Sequence, residues 1–186
     1  MNTKLYDEFE KTLQDGLVKV CQGAGFLREG LLESEDLENK WNDYIKDYIA
    51  DAVANFNDYP EAALAWAGFL GMGVANAWDK NWEKYGSYPY TFYYGKRKWD
   101  DMDEHIVQHI LGLTLDSVEA KQLMNIMLCC AQKAVNFIRH EQIEHQTTKA
   151  FHIFARTVRV MYKVGAAIQL KRLGYKFHKV ELNQAD

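Results

Sequence analysis

Proline is almost missing from this chain. Only Pro60 and Pro89 occur among 186 residues, so little in the sequence forbids long helices. Cysteine is sparse as well. Cys21, Cys129 and Cys130 make an odd number with two neighbours, and they form neither a Cys-x-x-Cys pair nor a Cys…His zinc spacing. That excludes a disulfide mini-scaffold and a zinc finger. The thiols are expected to be reduced, buried and inert, in a cytoplasmic protein. A membrane-spanning run is also missing. One uncharged stretch, Ala62–Trp78, is seventeen residues long, but it is rich in Ala and Gly, contains Asn76, and is shorter than the roughly 20 strongly apolar residues of a spanning helix. It reads as a buried central helix, and no membrane partner is expected. The first eight residues contain no apolar core, so they do not read as a signal peptide.

Catalytic signatures are missing too. There is no Walker-type glycine loop and no nucleophile elbow. Gly71-Met72-Gly73 lies inside an apolar helical pattern and not after a strand, so it is not a dinucleotide fingerprint. No internal repeat or low-complexity segment is visible.

What is present is ordinary globular composition: 48% apolar and 26% charged residues. One domain over residues 1–186 is expected. The net charge is −4 but unevenly spread. Residues 1–60 carry 6 basic and 13 acidic side chains, whereas residues 116–186 carry 11 and 6. The simplest consequence is an acidic N-terminal half packed on a basic C-terminal half.

Helical periodicity dominates. Leu5, Phe9, Leu13, Leu17 and Val20 make one stripe, ending near Gly23. Ser34 can cap a second helix whose stripe is Trp41, Tyr44, Ile45, Tyr48, Ile49, Ala52, Val53 and Phe56. A third runs from about Pro60 to Lys84, and Ala63, Ala67, Gly71 and Ala75 form a row of small residues on it that invites close helix packing, within the subunit or across a dimer. Residues 85–99 are not helical, and seven of the fifteen are aromatic. They read as a hairpin or as an irregular loop pinned by its rings. A short fourth helix opens near Asp101, with Met102, Ile106, Ile110 and Leu113 facing the core, and Gly112 ends it. Asp116 and Glu119 have the spacing to open a fifth, apolar almost all round from Leu123 to Ile138. Helices three and five are expected at the centre.

No Gly or Pro lies between Gly112 and Gly165. One helix from Ser117 to Leu173 would be about 85 Å long, against a radius of gyration of about 16 Å for a compact domain of this length. A break is therefore expected near residues 139–148, with Thr147 or Thr148 capping a sixth helix. Its stripe is Phe151, Phe154, Val158, Met161, Tyr162, Gly165 and Ile168. The fold class is thus all-α: a single-domain bundle of five or six helices with one irregular aromatic-rich loop at 85–99.

Three sets of residues can carry function. His105 and His109 lie one turn apart. Glu141, Glu144 and His145 fall where helix five would continue its core face. Together they could hold Zn, Mn or Fe as a helical-bundle enzyme does. Yet the Glu-x-x-His of di-iron bundles and the His-Glu-x-x-His of zinc proteases are both missing, and the plain alternative is a polar turn. No cofactor is the leading expectation. Arg156, Arg159 and Lys163 form a basic stripe, and no acidic residue falls from Lys149 to Lys179. It is either a face paired with the acidic second helix or an anion site. The aromatic loop carries Lys96, Arg97 and Lys98, but Asp100, Asp101, Asp103 and Glu104 follow directly, and nucleic acid is not the expected partner. The leading functional expectation is a non-catalytic interaction or assembly protein that forms a homo-oligomer.

Overall fold

The computed structural model describes residues 3–177. Lys179, at the end of the basic run, lies outside the described residues. Six α-helices and no strand occur among the described residues. They are α1 (Thr3–Gly23), α2 (Glu35–Asn55), α3 (Pro60–Tyr85), α4 (Met102–His105), α5 (Val118–His140) and α6 (Thr148–Arg172). None of these is long and apolar enough to cross a membrane.

The axis of the bundle is α3 against α6. Glycine brings the two backbones together. A Cβ placed on Gly165 would stand 2.8 Å from Gly68 Cα, and closer still to Gly68 O. One on Gly71 would stand 2.9 Å from Ala166 N and closer still to Tyr162 O. Ala63, Ala67 and Ala75 are buried beside this contact. The small-residue row is therefore used within the subunit. It is not open to a second copy.

α6, not α5, shares the centre with α3. From Val160 to Leu170 every residue of α6 except Lys163 is buried. α5 lies outside, with Asn125, Leu128, Gln132, Lys133 and Asn136 exposed. The difference is one of burial from several sides. α6 touches α1, α2, α3 and α5, whereas α5 touches α1, α3 and α6 and leaves one side exposed. Apolar character alone does not tell these two situations apart.

Asn76 interrupts the apolar run of α3 for a reason now visible. Its Nδ2 donates to Ile110 O at 3.0 Å, and its Oδ1 accepts from Gln169 Nε2 at 3.0 Å. Gln169 in turn accepts from Arg172, which pairs with Glu119. A polar thread thus joins α3, α5, α6 and the segment after α4, and it satisfies amide groups that would be costly to bury unpaired.

The chain breaks where expected between α5 and α6. Thr147 caps α6, its hydroxyl accepting from Ala150 N at 3.1 Å. Other caps differ. Ser117, not Asp116, caps α5, accepting from Ala120 N at 3.1 Å. Ser34 stands at the N-cap of α2 without a side-chain bond. The Asp101 carboxylate is taken by Arg97, whose backbone N–H and guanidinium both donate to it. Three stripe residues are exposed: Leu5, Val53 and Phe151.

The aromatic segment is an ordered excursion, with short 3-10 turns at Tyr90–Tyr93 and Trp99–Asp101 and a single bridge between Gly95 and Lys98. Rings and hydroxyls anchor it. Tyr90 and Tyr94 both donate to Asp51 Oδ2, at 3.0 and 2.6 Å. Lys40 Nζ holds Gly86 O at 2.6 Å. Tyr93 packs on Gly73, and Trp99 on Trp66. α4 then passes into a π-helical turn over Ile106–Ile110, which Gly112 ends at φ 72°.

Candidate functional site

At one end of the bundle the turns α2–α3 and α5–α6 lie side by side. Between them is a cleft of about 360 Å³. Phe56, Pro60, Val135, Ile138 and Ile143 give it apolar walls, and Arg139 and His145 stand at its edge. Local structure explains the opening. Asn57-Asp58-Tyr59 ends α2, and Pro60 starts α3 at a position where its missing N–H is no loss. On the other side the chain leaves α5 through Gln142 and Gln146, both in left-handed backbone conformations, at φ 48° and 61°. These two turns hold the helices apart at their ends, so apolar side chains there are only partly covered.

Three exposed apolar side chains lie at this end of the bundle. Tyr59 is 65% exposed, and Val53 and Phe151 are each 51% exposed. Tyr59 precedes Pro60 and Phe151 follows Ala150, so each stands one residue from the wall of the cleft. Val53 lies one turn of α2 before Phe56, whose ring meets Phe154 at 5.0 Å. The sequence pattern assigned Val53 and Phe151 to the core. Their exposure is the sign of this surface that the pattern could not give.

The proposed metal ligands do not come together as one set. His105 and His109 do meet, with ring centroids 5.3 Å apart. They flank Ile106, which lies beside Gly73 in α3. Glu141, Glu144 and His145 are in the α5–α6 turn, and His145 shares the cleft with Pro60. Pro60 and Gly73 are separated by about 20 Å along α3. Among the described residues, no three His, Cys, Asp or Glu side chains are grouped so that they could hold a metal ion. Residues 141–147 are the turn between α5 and α6. Beside the histidines, burial raises the Asp103 carboxyl to about 6, and burial together with the neighbouring His109 lowers the imidazole of His105.

The basic stripe is occupied by the protein's own carboxylates. Arg156 bonds Glu10 and pairs with Asp7 at 3.0 Å. Arg159 lies between Glu10, at 3.3 Å, and Glu38. Lys163 reaches Glu33 at 2.7 Å and Gln14 at 3.1 Å. The acidic N-terminal half does pack on the basic C-terminal half, with α1, α2 and the segment between them supplying the partners. An anion at these three positions would have to displace them.

One contact was not foreseen. Cys21 Sγ and Cys130 Sγ are 3.6 Å apart in the core. Each cysteine lies on an apolar line of its own helix, Cys21 four residues after Leu17 and Cys130 four before Ala134. Their burial was therefore legible, but their meeting was not.

No known protein family, curated protein or solved structure matches this chain.

Proposed function

We propose that this protein works by contact and not by catalysis, and that the contact is a homodimer formed by the cleft end of the bundle. The observation that carries this reading is the exposure of three apolar side chains, Val53, Tyr59 and Phe151, at the end of the bundle that holds the apolar-walled cleft. A protruding ring beside an apolar hollow is self-complementary under a two-fold axis, because the ring of each copy can enter the hollow of the other. The rim is of mixed charge, with Arg139 and His145 near Glu141 and Glu144. Two copies related by such an axis can pair these charges. The interface then has an apolar centre and a polar border, as stable interfaces do.

Light scattering at tens of micromolar tests it, a range that detects even weak self-association. The wild type is expected at twice the monomer mass. The double change Tyr59→Asp, Phe151→Asp is expected to give folded monomers with unchanged helical circular dichroism. Val118→Asp, at an exposed position outside the cleft, is expected to leave the dimer intact. A monomeric wild type, or a double variant that still dimerises, refutes the proposal.

A further inference from the structure

The Cys21–Cys130 contact joins α1 to α5 across 109 positions of sequence. Both side chains are fully buried, whereas Cys129 is only partly covered. Successive helical residues point about 100° apart, so Cys129 is turned away from the pair that Cys130 makes. The two paired sulfurs are in van der Waals contact. Closing from 3.6 Å to the ~2.05 Å of a disulfide requires a shift of about 1.5 Å, divided between two side chains. A shift of this size is within the range of side-chain rotation and a small helix adjustment.

We propose that Cys21 and Cys130 are a redox-controlled staple, which forms a disulfide between α1 and α5 when the protein meets a peroxide and opens again to a dithiol reductant. In the first step one thiol gives up its proton and its sulfur attacks a peroxide oxygen. The O–O bond breaks, leaving a sulfenic acid and one water. The second sulfur, losing its own proton, then displaces the hydroxyl of the sulfenic acid as a second water. Two thiols and one hydrogen peroxide become one disulfide and two waters. The sulfurs are oxidised and the peroxide is reduced.

The site sets the speed of this reaction. The hydrogen bond to Cys21, together with burial, holds the Cys130 thiol well above its ordinary range. Little Cys130 thiolate is present, both thiols are buried, and oxidation waits on opening of the α1 end, where the chain leaves the helix at Gly23 toward Gly25. The staple therefore closes slowly in the folded protein. Once made, it constrains a very long loop of the unfolded chain, for which a rise in melting temperature of about 10 °C is expected.

The experiment uses the reduced, folded protein with millimolar hydrogen peroxide. Samples are taken over a day, unfolded in the presence of an alkylating reagent, and mapped by peptide mass spectrometry. A parallel sample is refolded from denaturant in a mixture of reduced and oxidised glutathione, where access is not limiting. The expected product in either sample is a peptide pair joined through Cys21 and Cys130, with Cys129 free to alkylate or separately oxidised. It melts higher than the reduced form, and dithiothreitol reverses both changes. Cys129→Ser is expected to behave as the wild type, and Cys21→Ser to form no bridge to residue 130. Bridges to Cys129 in place of this pair, or no Cys21–Cys130 bridge in both samples, overturn the proposal. A bridge that leaves the melting temperature unchanged overturns the staple.

Discussion

The two sides of α3 are filled by opposite means. Toward α6 the space is closed by subtraction: Gly71 and Gly165 carry no side chains, so backbone meets backbone, Gly165 lying against Gly68, whose own missing side chain leaves room for Met127 of α5. Toward residues 86–110 it is closed by addition, with Tyr93, Trp99 and Ile106 laid against the helix. Gly73 is on this second side, and what faces it is the edge of the Tyr93 ring, 3.0 Å from where a Cβ would be. The lesson is mechanical. A backbone flanked by its own hydrogen-bonded helix cannot retreat, but a ring can turn. Glycines of one helix therefore differ in what they forbid.

The largest expected effect comes from the first side. Gly165→Ala would press a methyl into Gly68, and the loss of stability is expected to exceed about 3 kcal/mol, even though alanine is the better helix former. Urea titration measures it. A variant as stable as the wild type would show that the crossing can open, and the contrast between the two sides would fail.

Next comes the second side. Tyr93→Ala removes a fully buried ring and is expected to cost about 3 kcal/mol, with the loosening confined to residues 86–110. Hydrogen exchange reads both parts. Exchange that rises equally along α6 would mean that the two sides act as one unit.

Asp103 gives a smaller effect of opposite sign. Its carboxyl is raised to about 6 in the folded protein, chiefly by burial. A folded value above the unfolded one means that the native state holds the proton more tightly. Stability from this group is fully present below about pH 4 and is lost as pH rises through about 6. Asp103→Asn is therefore expected to stabilise the protein by about 2 kcal/mol at pH 7 and to do little at pH 4. Thermal melts across this range check the sign. The gain would also show that the addition side buries a charge at a cost.

Two small effects complete the comparison. Arg159→Ala removes a half-exposed partner of Glu10 and Glu38, and a loss of at most about 1 kcal/mol, smaller in high salt, is expected. Gly73→Ala is expected to change stability by less than about 1 kcal/mol, because a better helix former offsets a displaced ring. Denaturant curves in low and high salt measure both. A large loss at Gly73 would make the Tyr93 side as unyielding as the Gly165 side.

The sequence by itself determined the helices, the break between α5 and α6 and the irregular segment, though not the kink at Asn81 in α3. Phe9, Leu13 and Leu17 repeat within one helix, Thr147 caps within one turn, and Pro60 and Gly112 act on their own backbone. Such signals are complete within a few residues. Only the tertiary structure decided which helix joins α3 at the centre, because α5 and α6 are both apolar and differ in how many neighbours surround them. It also decided the fate of the candidate sites. Arg156 and Arg159 meet carboxylates more than a hundred residues away, and Cys21 meets Cys130. His105 and His145, each fit to bind a metal by type, lie at different levels of α3. Pairings of this kind depend on the direction and crossing of whole helices, and no spacing inside one helix encodes them.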